Sequence, residues 1–272
     1  MFTYPRLSQT NAKEVCAAGR AAIAAVSVCG LLACGGGDDP AIPPPDIFQA
    51  NGANAVAIQP VVDSFRDLLG ANQLVGPAAA TGRREVNWDA IPLARLDPFP
   101  GDFFVSTSPR GVQFATPGTR LVVSGDPGSP SFKFANITAQ QWGLVEFGFF
   151  SPSRIFATIG STITDVTFRV PGTQTTAVVK SFGVVLVDVD AANASKVEFF
   201  DASNRLLLSR AVEPFGVQSQ GLSFVGVRFN GGQTISRVRI TAGTHPIDTP
   251  FQSPPPDGVA IDDVIFSEPQ PN

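Results

Sequence analysis

Val184-Val185-Leu186-Val187-Asp188-Val189 is the stretch that decides the fold, together with the segment Val197–Leu208 (VEFFDASNRLLL) that follows it. The first run is almost continuously apolar over the length of one strand. That is the pattern of a central strand covered on both faces. The second reads as a hairpin. Val197–Asp201 and Leu206–Leu208 flank Ala202-Ser203-Asn204, where Asn204 can take a positive φ.

Other strands appear on either side of this stretch. Val166, Phe168 and Val170 alternate with Thr167 and Arg169, and Val238 and Ile240 alternate with Arg237, Arg239 and Thr241. Period 2 marks half-buried strands. Asn230-Gly231-Gly232 predicts a turn joining Val225–Phe229 to Ile235–Ile240, and Val259–Phe266 (VAIDDVIF) reads as the last strand. Turn signals recur every ~8–12 residues, which argues for an all-β sandwich or barrel. One helix precedes the strands. Pro60 suits its first turn, Val61, Val62, Phe65, Leu68 and Leu69 share a stripe, and Gly70 can end it. The expected architecture is a jelly-roll-like β-sandwich with one short N-terminal helix packed on it.

The N-terminus has a different character. Arg6, Lys13 and Arg20 form a basic region, and Ala21–Ala33 is apolar but shorter than the ~20 residues that span a bilayer. It ends in Leu31-Leu32-Ala33-Cys34, followed by Gly35-Gly36-Gly37-Asp38-Asp39. This resembles the lipobox of bacterial lipoproteins. The resemblance implies cleavage before Cys34 and lipidation of its thiol by a diacylglycerol, usually with a further N-acyl chain such as palmitate. Gly35 after the cysteine favours an outer-membrane address. A plain secretory signal or an anchoring helix is the alternative. The expected division is a signal peptide over 1–33, a lipidated flexible tether over 34–54 (Gly/Pro-rich), a β domain over 55–268 and a tail over 269–272.

Two further resemblances concern the domain. Gly82–Asp89 (GRREVNWD), Ser181–Asp190 (SFGVVLVDVD) and Val197–Leu207 are similar to a group of uncharacterised exported bacterial proteins, over most of residues 55–268. The close at Ile261-Asp262-Asp263-Val264 resembles the last strand of jelly-roll carbohydrate-binding modules and adhesion domains. These likenesses imply export and a jelly-roll fold, and no particular activity.

Composition narrows the function. The formal net charge is −4 and no Lys/Arg cluster is present, which argues against nucleic-acid partners. All three cysteines, Cys16, Cys29 and Cys34, lie in the targeting segment, so the domain has no disulfide or thiolate site. The single histidine, His245, reads as a loop residue, and no G-x-S-x-G elbow supports a serine triad. Carboxylates are the remaining catalytic option. Glu85 and Asp89, four apart on an expected strand, would stand ~13 Å apart on one face, wider than a glycosidase pair.

Asp188 and Asp190 share a strand face next to an apolar run, and Asp262 and Asp263 interrupt the last apolar strand. Buried carboxylates need partners. A structural Ca²⁺ suits such oxygen ligands. The alternative is neutralisation by backbone N–H groups, or by arginines such as Arg84 or Arg154. Trp142, in a loop-like context, is the better candidate sugar platform. Trp88 reads as core, with a ligand role as the alternative. Arg83 and Arg84 form either a recognition patch or a solvated strand edge. The expected function is a lipid-anchored, exported, non-catalytic binding module for glycan or cell-envelope components. A polysaccharide-acting enzyme with paired carboxylates and a structural or adhesive envelope protein are the alternatives.

Overall fold

The computed structural model describes residues 42–94, 97–125, 134, 147–152, 154–216, 220–249 and 257–272. In chain order the elements are β1 (Asp46–Gly52), α1 (Ala55–Leu69), β2 (Arg83–Val86), α2 (Phe103–Ser106), β3 (Val112–Ala115), β4 (Arg120–Val123), β5 (Phe156–Ile159), β6 (Ile163–Arg169) and β7 (Thr176–Val178). They continue with β8 (Ser181–Val187), β9 (Lys196–Phe200), β10 (Leu206–Ala211), β11 (Leu222–Arg228), β12 (Arg237–Thr241), β13 (Ala260–Ser267) and β14 (Gln270–Pro271). One sheet runs β1-β11-β8-β13-β5-β4 with β2 also on β13. The other runs β10-β9-β12-β6-β7-β14 with β3 also on β6. All named strand pairs are antiparallel.

From β5 onward the chain passes back and forth between the sheets, as in a jelly roll. The expected all-β sandwich with one packed helix is the observed architecture. Hydropathy explains the layering. Every residue of β8 is buried, because the first sheet is covered on both faces. Its inner face packs on the second sheet through Phe182, Val184 and Leu186. Its outer face, with Val185 and Val187, packs under Ile58, Val62 and Phe65 of α1. The second sheet has only one covered face, so β6 and β12 alternate buried and half-buried residues.

Three expectations change. The sheet begins at Asp46: β1 pairs along β11 from Asp46↔Arg228 to Gly52↔Leu222, so the tether assigned to 34–54 does not extend past residue 45. The tail assigned to 269–272 contains β14, which pairs with β7. The helix starts five residues before Pro60, because Asn54 supplies the cap by accepting the Ala57 N–H at 3.2 Å. Pro60 therefore lies inside α1, where it has no N–H to give the carbonyl of Val56, a highly exposed residue. Asn230-Gly231-Gly232 joins the two strands expected of it, β11 and β12. It carries the chain from β11 in one sheet to β12 in the other.

Candidate functional site

A cleft of about 290 Å³ opens where the end of α1, the loop before β2 and the ends of β8, β11 and β13 meet. Its apolar wall is Leu68, Leu69 and Val178, and its polar wall includes Lys180, Arg228 and Glu268. That volume is at the lower end of small-ligand cavities.

Two predicted site residues build this cleft rather than face a ligand. Arg84 is fully buried. Its Nε donates to Glu268 Oε2 at 2.7 Å and its Nη2 to Glu268 Oε1 at 2.8 Å. The remaining donors go to the carbonyls of Gly76 at 3.0 Å and Pro77 at 2.7 Å. Glu268 Oε1 also accepts the Ala79 N–H at 2.9 Å. This network fixes the loop that carries Ala80, Thr81 and Gly82 into the cleft wall. Arg83 is half-buried and pairs with Glu85 at 2.6 Å. It also donates to the carbonyls of Arg66 and Gly70 at the C-terminal end of α1. Neither arginine forms a solvated edge or an exposed patch, because both are consumed by anionic and carbonyl partners.

Trp88 is 1% exposed, and its ring stacks on Phe156 at 4.3 Å inside the sandwich. A sugar-binding role for it is excluded by this burial. Its Nε1 donates to the Asp262 carbonyl at 2.6 Å. Trp88 has φ +67°, and β2 ends at Val86, so Glu85 and Asp89 do not share a strand. Trp142 and Cys34 lie outside the described residues.

The four aspartates form two separate pairs. Asp262 and Asp263 sit at a bulge in β13, where the register shifts between Ile261 and Val264. Successive strand residues normally point to opposite faces. The bulge instead lets both carboxyls find partners in the α1 layer. Asp262 accepts the buried Phe150 N–H at 2.6 Å, and Asp263 accepts from the Ser151 hydroxyl at 2.6 Å and Arg66 Nη2 at 3.1 Å. Burial holds both carboxyls above the usual range, most strongly Asp262, where the neighbouring Asp263 charge adds to it. An arginine does answer this pair, but it is Arg66, not Arg84 or Arg154. Arg154 is spent on backbone carbonyls, among them Ser124 at 2.7 Å.

Asp188, with φ +69°, follows β8, so it shares no strand face with Asp190, and it accepts the Gln220 N–H at 3.0 Å. Its carboxyl is pushed up to about 7 by burial and then by Asp190. Asp257, which accepts the backbone N–H groups of Asp190 and Ala191, is pushed up to about 6, chiefly by burial. Among the described residues, no three His, Cys, Asp or Glu side chains are grouped to hold a metal ion. His245 borders a hollow of about 10 Å³, at the lower limit for a single water. No described helix is long and apolar enough to cross a membrane.

Sequence reasoning missed the cleft and its two cations, Lys180 and Arg228. Their common location depends on segments far apart in the chain, so no local pattern announces it. No protein-family model matches the chain, and no curated protein matches it.

Proposed function

We propose that the chain is an exported bacterial lipoprotein, anchored through Cys34, whose sandwich is a non-catalytic binding module for a glycan or envelope component. The address rests on the Leu31-Leu32-Ala33-Cys34 motif and its basic, then apolar, approach. Two acyl chains make such an anchor persistent, because each buried CH₂ contributes ~0.8 kcal/mol. Gly35 directs the anchor to the outer membrane, with the domain facing the periplasm or the exterior.

The observation that carries the binding reading is the cleft between α1 and the first sheet. The paired-carboxylate reading has less support. Asp262 and Asp263 are buried in the α1 layer, at 0% and 2% exposure, and do not line the cleft.

Two experiments test the proposal. The full chain expressed in a Gram-negative host with labelled palmitate acquires the label, and Cys34→Ser abolishes it. An unmodified N-terminus upstream of Cys34 overturns the address. The detergent-solubilised full chain binds members of a glycan array, and a blank array removes the glycan reading.

A further inference from the structure

We propose that the cleft beside Leu68 and Leu69 is an oxyanion site, taking an acidic sugar through a carboxylate or phosphate held between Lys180 and Arg228. This inference rests on the binding-module reading and narrows it.

Charge balance around the cleft points to an anion. Two negative features border it, and each is already answered. Glu268 is neutralised by the fully buried Arg84. The carbonyls at the C-terminal end of α1, where the helix dipole is negative, receive Arg83. The cleft's own cations have no such partner. Neither Lys180 nor Arg228 pairs with a carboxylate among the described residues. Asp46 stands opposite Arg228 in the β1–β11 register, yet forms no ion pair with it. Two uncompensated positive charges thus line one concavity of a chain whose net charge is −4. Low-dielectric walls such as Leu69 and Val178 concentrate that local field.

The remaining lining sets the ligand's body. Thr81 and Thr234 also line the cleft, and their side chains form no hydrogen bond among the described residues, which leaves two hydroxyls for a polyol. Among the described residues no aromatic side chain lines the cleft to stack on a neutral pyranose. Charge-assisted hydrogen bonds must then supply the affinity. A volume of about 290 Å³ suits one or two sugar rings rather than a folded partner.

The test is calorimetric titration of the detergent-solubilised full chain with four probes: digalacturonate, its methyl ester, mannose 6-phosphate and mannose. A charged probe is expected to bind about tenfold or more tightly than its uncharged counterpart, with affinity falling as salt rises. Whichever of digalacturonate and mannose 6-phosphate binds better identifies the oxyanion as carboxylate or phosphate. Lys180→Gln and Arg228→Gln are each expected to weaken binding about tenfold or more while leaving the thermal transition unchanged. Equal binding of charged and uncharged probes, or binding indifferent to both substitutions, overturns the inference and leaves the module reading standing. Failure of all four probes also overturns it, and the glycan array then decides the module reading separately.

Discussion

Gly183 of β8 and Gly226 of β11 stand directly opposite each other, and the rings of Phe65 and Phe224 together occupy the space two side chains would fill. A Cβ at Gly183 would meet Phe65 Cε1 at 2.8 Å, and one at Gly226 would meet Phe65 Cδ2 at 3.0 Å. Phe65 also meets Phe224 edge-on at 5.6 Å and Phe48 at 5.4 Å. This seat joins α1 to the first sheet, and so fixes where Leu68 and Leu69 meet the cleft. Gly183→Ala is expected to destabilise by about 1–3 kcal/mol through overpacking, and Phe65→Ala by about 3–5 kcal/mol. The double variant should lose less than the sum, because removing the Phe65 ring relieves the methyl's closest contact and leaves only that with Phe224. Urea unfolding of the three variants measures this, and strict additivity would refute the seat.

Arg84 and Glu268 are 184 positions apart, yet together they hold the loop from Gly76 to Gly82 against β13. Removing one partner strands a buried charge. Arg84→Met is expected to cost about 3–5 kcal/mol. It should also loosen the cleft wall, so limited proteolysis should cut between residues 74 and 82 in the variant first. Loss of stability with no new cleavage there would separate the ion pair from the loop.

The sequence disclosed the parts of this fold whose signals are local. β8 was legible because a strand covered on both faces is apolar almost throughout, and the β9–β10 turn because Asn204 tolerates its φ of +59°. β1 was hidden: Asp46–Gly52 is an edge strand whose residues before Gly52 are exposed or half-buried, beside a proline-rich stretch, and it has no apolar alternation. Asp262-Asp263 was legible as an anomaly in an apolar strand, but not as a bulge, since the register shift depends on β8 across the ladder. Arg83 and Arg84 looked like a surface patch because their partners, Glu268 and the end of α1, lie elsewhere in the chain. Lys180 and Arg228 gave no signal, because two isolated cations become a site only when β8 and β11 pair.

Stability should fall as pH rises through the range set by Asp188 and Asp257. Their folded-state values, about 7 and about 6, stand above the ordinary value of 3.8. Between these limits the folded protein binds more protons than the unfolded chain, so raising pH favours unfolding. The loss begins near the unfolded value and is complete for these groups above about 7. Asp188→Asn keeps an acceptor for the Gln220 N–H and tolerates the positive φ. It should therefore raise the melting temperature at pH 8, by about 2–4 °C for each kcal/mol recovered, and change little at pH 4. Melting curves at both pH values check this, and an equal shift at both would refute the titration.

Asp262 separates the cost of a buried charge from the value of a hydrogen bond. Its carboxyl accepts the Phe150 N–H at 2.6 Å, while burial and the Asp263 charge favour its protonated form. Asn at this position preserves the acceptor and removes the ionisation. Asp262→Asn is therefore expected to be neutral or stabilising at neutral pH. Ala leaves the buried Phe150 N–H without its partner and should cost about 1–3 kcal/mol. Since Ser151 and Arg66 remain on Asp263 in either variant, the difference between Asn and Ala measures what Asp262 itself accepts, the Phe150 N–H at 2.6 Å and, more weakly, the Ser151 hydroxyl at 3.2 Å. Chemical denaturation at pH 7 and pH 5 measures both. If Asn proved as damaging as Ala, the ionised carboxylate, rather than the hydrogen bond, would be what anchors the segment from Phe147 to Ser151 against the β13 bulge.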